Sequence, residues 1–468
     1  MSPLIPEASA LKAAGADVVV VGGGLAGSEA AWQLAKRNFR VRLIEMRPFV
    51  QTPVHSTAQL AEIVCSNSFG GEGEESAAGI LKAELSRAGS LILDCAHVSR
   101  VPAGGALAVD RDRFSELVSA HLESHPNIEI LREEATDPGA FAVAARATIL
   151  ATGPLTSSVM AKNLQALIGE DCLFFFDAVA PIVTRESVDM EKAWAAGRYG
   201  RGSDYVNCPL SRVEYLAFYE ALLSAERALP HRFEEGAYFE GCMPVEALAA
   251  RGVDTLRFGP MKPVGLPNPK DGREPWAVVQ LRQDNREGTL LNLVGFQTGL
   301  KWGEQSRLIS MIPGLENADV VRFGVMHRNI YVNAPAVLDA HLRVKRFADG
   351  SGEPGPGSGP ENRNLFLAGQ ITGVEGYMES TAMGLVAAIN AASLLRGGAL
   401  PVWPRETAMG SLLHYLQDAG TKTFQPMNMN LGIFPPLPER VKDKKQRARM
   451  IHDRALSAAD KFWTAVQS

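Results

Sequence analysis

The sequence predicts an α/β fold: a parallel sheet flanked by helices, interrupted by an α+β insertion and completed near the C-terminus. Three observations predict it. Residues 16–48, ADVVVVGGGLAGSEAAWQLAKRNFRVRLIEMRP, read as strand, glycine turn, helix and strand. Residues 364–395, NLFLAGQITGVEGYMESTAMGLVAAINAASLL, read as a second strand, a glycine-rich loop and a long helix. Between them the texture changes to short strand-like runs among frequent Pro, Gly and aromatic residues. The expected division is 14–153 for the first part of the sheet domain, 154–313 for the insertion and 314–468 for the returning part with C-terminal helices.

In the first unit, Asp17 to Val21 is a β-branched run suited to a buried parallel strand, Ala26 to Arg37 has helical residue choices, and Phe39 to Glu45 is the second strand. Gly22, Gly24 and Gly27 form G-x-G-x-x-G. The first glycine permits the tight turn, the second lets a pyrophosphate approach the backbone, and the third lets helix and strand pack closely. The free N–H groups at the start of the helix then face the phosphates. Glu45 falls 18 residues after Gly27, at the end of the second strand, where an acid accepts hydrogen bonds from a ribose. With its strand, helix and acid in place, the pattern predicts a Rossmann-like dinucleotide site built from Gly22, Gly23, Gly24, Leu25, Ala26, Gly27 and Glu45. The returning loop is expected to add Gly369, Gln370 and Gly373.

Residues 145–157, ARATILATGPLTS, read as a further strand running into a Gly-Pro turn. DAVAPIVT, WAVVQLR and LLNLVGF are short strands of the insertion, which is expected to face the substrate. In the long helix after the returning strand, Ala382, Gly384, Ala387 and Ala388 suit close approach of a neighbouring backbone or a cofactor. Residues 348–364, Gly/Pro-rich, are expected to be a surface loop, and the closing KDKKQRARMIHDRAL reads as a basic helical segment.

The chain has 468 residues, 46% hydrophobic and 21% charged, the balance of a globular protein with a substantial core. Apolar runs fall short of the roughly 18 residues that cross a bilayer, and the N-terminus lacks the architecture of a signal peptide, so a cytoplasmic protein with no membrane partner is expected. A net charge of −5 argues against wholesale wrapping of nucleic acid and leaves room for a local basic surface. No DNA partner is expected.

Five cysteines, Cys65, Cys95, Cys172, Cys208 and Cys242, include no C-x-x-C pair and no zinc-like spacing, which excludes a disulfide scaffold and a dithiol reductase. Cys65 has apolar neighbours on one side only and Ser, Asn and glycines on the other. Cys242 follows a glycine and precedes Met-Pro, before a helix expected near Pro244. A helix N-terminus favours a thiolate while Glu240 and Glu246 oppose it, so spacing alone leaves the reactivity of Cys242 open.

Taken together, GGGLAGSEAAWQLA, AEIVCSNS, RVPAGGALAVDRDRFS, DAVAPIV, YFEGCMPVE, RFGPMKPVGL, AVVQLRQDN, LVGFQTGLKWGEQ, MIPGLENADVVRFGVMHRN and FLAGQITGVEGYMES resemble the bacterial folate- and FAD-dependent tRNA (uracil-5-)-methyltransferase family, TrmFO. The resemblance runs in order from about Asp17 to Arg454. It implies an FAD-binding domain of the large two-domain flavoprotein type. The implied enzyme takes a one-carbon unit from 5,10-methylenetetrahydrofolate, uses NAD(P)H as reductant and makes 5-methyluridine in the T-loop of tRNA. The family's two functional cysteines map onto Cys65 and Cys242, leaving Cys95, Cys172 and Cys208 structural. Two places depart from the family pattern: Phe69-Gly70-Gly71 follow the Ser-Asn-Ser triplet where an arginine-bearing segment is common, and Gly299 replaces a basic residue.

On this reading Cys242 adds to carbon 6 of uracil and makes carbon 5 nucleophilic, while Cys65 moves the carbon 5 proton or protects the loaded flavin. The target base is flipped toward the flavin. Arg198, Arg201, Arg282, Arg286, Lys301, Arg322 and Arg328 are candidates for the basic surface that holds the RNA. Three alternatives remain: the same chemistry on a ribosomal RNA uridine, a flavin-dependent wobble-uridine modifier with a GTPase partner, and a flavin-bound RNA-binding scaffold without catalysis.

Overall fold

The computed structural model describes residues 15–52, 54–169, 173–228, 243–345, 364–417 and 424–467. In chain order the strands begin with β1 (Val18–Val21), β2 (Val41–Glu45), β3 (Ser68–Gly71), β4 (Arg100–Val101), β5 (Ala106–Val109), β6 (Ile128–Arg132), β7 (Ala147–Leu150) and β8 (Leu173–Ala178). They continue with β9 (Ile182–Thr184), β10 (Trp194–Ala195), β11 (Tyr205–Leu210), β12 (Ala277–Gln283), β13 (Leu290–Leu293), β14 (Val320–Arg322), β15 (Met326–Tyr331) and β16 (Leu365–Leu367).

β1, the Val-rich run, sits at the centre of a five-stranded sheet of order β16-β7-β1-β2-β6, parallel throughout. Its valines are all buried, because helices cover both faces of a parallel sheet and leave no polar side for the strand to show. The returning strand β16 pairs with β7, so residues more than 200 positions apart in the chain complete one sheet. Helix Leu25–Ala35 crosses helix Tyr377–Leu395 closely: a Cβ on Gly384 would lie 2.2 Å from the Ala26 carbonyl oxygen. Gly384 is the position whose small size this contact requires. That helix also has the length and hydropathy of a membrane span, which uninterrupted apolar runs do not reveal; 83% of the relevant window is buried in the core.

The insertion is a six-stranded sheet of order β10-β11-β12-β13-β9-β14, antiparallel, with its own apolar core around Tyr215, Phe218, Val279 and Leu293. It runs past residue 313 to β14. β8 and β15 form a separate antiparallel ribbon where the chain enters and leaves the insertion. A small third sheet, β3-β5-β4, carries the segment that follows Cys65. None of its pairing is visible in the sequence pattern, since its strands are two to four residues long and β3 is glycine-rich.

Candidate functional site

Helices beginning at Ala77, Leu91, Arg111, Ser158 and Arg212 are each capped by a Ser or Asp side chain. The helices beginning at Leu25 and Tyr377 instead start from Gly24 and Gly376 with no side-chain cap. Both open ends face one cavity of about 290 Å³, lined by Gly22, Gly24, Leu25, Ala26, Gly376 and Tyr377 among others. An uncapped helix start presents donors and a partial positive charge to an anion. A Cβ on Gly24 would meet nothing within 4 Å, so the room beside that backbone is open, whereas a Cβ on Gly27 would stand 1.8 Å from the Gly22 carbonyl oxygen. These features fit a dinucleotide pyrophosphate at the turn.

Glu45 lines the same cavity and is held by the turn itself. Its Oε2 accepts from Gly23 N–H at 2.8 Å, and its Oε1 from the backbone N–H and Nε of Arg47 at 3.0 and 2.8 Å. Burial alone would raise this carboxyl; the Arg47 guanidinium and the N–H donors outweigh it and hold the pKa below its ordinary value. Gly369 and Gln370 stand in the cavity wall. Gly23, Gly27 and Gly373 stand behind it: Gly23 anchors Glu45, and the space a Cβ would need at Gly373 is filled by the Phe424 ring at 2.4 Å.

Cys65 lines the same cavity. Its Sγ donates to Asp177 Oδ2 at 3.4 Å, and Asp177 is only 2% exposed. The backbone N–H groups of Cys65 and Ser66 both donate to Tyr377 Oη, at 3.1 and 3.2 Å. Burial raises the Tyr377 phenol well above its ordinary value, so it stays protonated and serves as a fixed anchor. Phe69, in the place where the family pattern departs, packs on Tyr377 with ring centroids 5.4 Å apart.

Three arginines clasp successive residues of this loop. Arg111 Nη1 donates to Ile63 O at 2.9 Å, Arg322 Nη2 to Val64 O at 3.2 Å, and Arg282 Nη2 and Nε to Ser66 Oγ and Asn67 Oδ1 at 2.9 and 3.0 Å. Asp284, 3.1 Å from Arg111 Nε, offsets part of their charge. Arg282 and Arg322 are expected from the sequence on an RNA-facing surface; the structure corrects this, burying Arg282 to 7% exposure as a brace for the Cys65 loop. Lys301 pairs with Glu226, Arg198 is spent on Val264 O, Lys262 O and Gln280, and Arg201 and Arg286 are exposed. The Arg328 side chain lies outside the described residues.

Acidic groups gather beside Cys65. Glu375 lines the cavity, bonded to the Gln370 amide, and its carboxyl is raised well above its ordinary value by burial and by the nearby Asp177 and Glu379. Asn329, on β15, lines the cavity as well. Sequence reasoning does not single out Asp177, Asn329, Glu375, Tyr377 or Arg111. The one signal it offers is a lone acid closing the apolar run FFFDA.

Cys242 and Cys172 lie outside the described residues. The described residues flanking the Cys242 segment converge on one strip: Ala228 N–H donates to Gly299 O at 2.8 Å, and Val245 N–H to Gln297 O at 2.7 Å. Thr298 N–H in turn meets Val179 O at 3.4 Å, two residues from Asp177. Cys95 and Cys208 are buried, and burial pushes each thiol up to about 12, the state of an inert packing residue.

Residues 17–399 match the family model described as GIDA, glucose inhibited division protein A. The chain is 56% identical over 443 residues to the methylenetetrahydrofolate–tRNA-(uracil-5-)-methyltransferase TrmFO of Moorella thermoacetica, covering 94% of this chain and 96% of that one. It is 53% identical over 449 residues to the protein of the same name from Pelotomaculum thermopropionicum, covering 96% and 98%. Among solved structures, GidA of Aquifex aeolicus in its form II crystal superposes with a TM-score of 0.65 at 17% identity, covering 96% of this chain and 73% of that chain, a likeness of fold. The chain belongs to the TrmFO family.

Proposed function

We propose that this chain is an FAD-dependent enzyme that methylates carbon 5 of a T-loop uridine in tRNA, with 5,10-methylenetetrahydrofolate as carbon donor and NAD(P)H as reductant. The observation that carries the reading is the Cys65 thiol in the wall of the cavity that begins at the glycine turn, hydrogen-bonded to the buried Asp177. Its relatives' name supplies the donor and the acceptor base. Gly22 to Ala26 and Glu45 would hold the pyrophosphate and ribose of FAD, with Gly369 and Gln370 at the returning loop. When bound, the flavin supplies the redox chemistry and carries the one-carbon unit.

The protein's own part is positioning and proton transfer. Cys242 is assigned the addition at carbon 6: its thiolate forms the S–C6 bond and the double-bond electrons move to carbon 5. After carbon 5 has gained its substituent, its proton must leave before the S–C6 bond breaks. Cys65 and Asp177 form the relay suited to take it, because the thiol in the cavity wall already donates to a buried carboxylate.

Incubating the purified chain with FAD, the folate, NAD(P)H and unmodified tRNA transcript is expected to place one methyl group on carbon 5 of a T-loop uridine, and leaving out the folate to abolish it. A methyl group found in ribosomal RNA and not in tRNA would redirect the substrate, and none in either would overturn the reading. For the roles of the thiols, Cys242→Ala is expected to lose covalent adducts with uridine-containing RNA while Cys65→Ala keeps them. The opposite pattern reverses the assignment.

A further inference from the structure

Asn329 stands within β15 with 1% of its surface exposed, and neither Nδ2 nor Oδ1 has a hydrogen-bond partner among the described residues. A buried carboxamide with both ends unmatched is costly, and proteins rarely keep one without use. This one lines the cavity. The register of the ribbon pairs Asp177 with His327 and Asn329 with Phe175, so Asn329 and Asp177 are next-but-one neighbours on the same face. The unmatched carboxamide therefore lies on the Asp177 face of the ribbon, in the wall of the cavity that Cys65 also lines. Gln370 is already committed to Glu375 and does not supply the missing partner.

A carboxamide offers an N–H donor and a carbonyl acceptor side by side in one plane. Its complement is a cis-amide edge, a ring N–H beside a ring C=O. We propose that Asn329 reads such an edge on a ring held in the cavity, donating from Nδ2 to the ring carbonyl and accepting the ring N–H at Oδ1. The flavin pyrimidine ring, the pterin of the folate and the target uracil all carry this edge, and the inference rests on the functional reading above for their presence. A site built this way orients its ring and rejects one that lacks the N–H, since rejection leaves buried polar atoms unpaired.

The test uses the full chain as Asn329→Leu, close in size and apolar, and as Asn329→Asp, which keeps acceptors and loses the donor. If the amide serves a ligand, the flavin-free Asn329→Leu protein melts at the wild-type temperature or above, because two unmatched polar atoms have been removed. Affinity for one ring should meanwhile fall about tenfold. Three arms identify the ring: the dissociation constant for FAD by flavin fluorescence quenching, and at saturating FAD the KM for the folate and for tRNA, each compared with kcat. Weaker binding in one arm for both variants supports the inference and names the ring. Wild-type values in all three arms overturn it, as does a loss of apo-protein stability with every affinity intact, which would mark a structural amide. A wild-type chain that takes up no flavin overturns the functional reading and this inference with it, whereas a flavin-loaded wild type with indifferent variants overturns the inference alone.

Discussion

Cys65 and Asp177 are 112 residues apart in sequence, and their hydrogen bond joins the loop after β2 to the ribbon that leads into the insertion. Cys65 is legible because its sequence neighbourhood is apolar on one side only and because VCSNS resembles a family word. Asp177 is not: inside FFFDAVA it reads as a polar interruption at a strand end, and its partner is found only once the chain has folded. If the pair relays the carbon 5 proton, Asp177→Asn should lower the single-turnover rate of methyl transfer about a hundredfold or more while flavin content stays at wild type. The substitution also removes one of the charges that raise Glu375. Its carboxyl should then titrate at lower pH, which the pH dependence of the carboxyl stretching band in difference infrared spectra would reveal. A structural role for Asp177 would lower stability and leave the methyl-transfer rate of the folded, flavin-loaded protein at the wild-type value.

Elements that depend on neighbours in sequence are the most legible: the strand, turn, helix and strand of residues 16–48 and the returning strand and helix of 364–395 appear within a few residues of their expected bounds. What they do with their glycines differs by position. Gly24 has φ −74°, which alanine adopts freely, and open space where a Cβ would go. Gly24→Ala is therefore expected to fold with equal or slightly greater stability, by up to about 1 kcal/mol, and to lose FAD affinity by at least about tenfold, measured on apo-protein by calorimetry and flavin titration. Gly27→Ala should fail to fold, since its Cβ would strike the Gly22 carbonyl. A second device is hidden from the sequence altogether. Glu84, on helix Ala77–Arg87, accepts from the N–H groups of Ala408 and Met409 at 2.5 and 3.1 Å and so caps helix Ala408–Gln417, 324 positions away. Burial pushes its carboxyl up to about 8 in spite of these donors. A carboxyl raised on folding contributes fully below its unfolded pKa and loses that contribution as pH climbs through about 8, at a slope near 1.4 kcal/mol per unit. Glu84→Gln, which keeps one acceptor, should melt below wild type at pH 5, and the gap should close as the pH rises to 8. A gap independent of pH would show that Glu84 is ionised throughout.

At the scale of the whole molecule, the sequence shows an interrupted sheet but not how the interruption contributes to the site. The insertion returns Arg282 and Arg322 to brace the Cys65 loop, and β8 and β15 supply Asp177 and Asn329, so the chemical end of the cavity is made where the two sheets meet. Arginine side chains look alike in a sequence whether they brace a loop or face solvent, which is why the sequence alone suggests an RNA surface here. With them committed inward and a net charge of −5, the protein has little general attraction for a polyanion. Binding of tRNA must then come from a few local contacts. Arg286 is a candidate, exposed on the turn between β12 and β13, with its backbone N–H on Asp110 and the neighbouring Gln283 carbonyl on Asn67 of the Cys65 loop. Affinity should fall as salt rises, and removing one cation that neutralises a phosphate should reduce the slope of log K against log salt by about 0.7 to 0.9. Arg286→Gln is accordingly expected to weaken tRNA binding at low salt, to flatten that slope by the amount due to a single phosphate, and to leave FAD affinity and melting temperature unchanged. A slope that is flat in the wild-type protein would mean that shape and stacking carry the affinity. A slope that survives Arg286→Gln would move the phosphate-binding role to another exposed cation, with Arg201 and the basic face at Lys444, Lys445 and Arg447 next to be substituted.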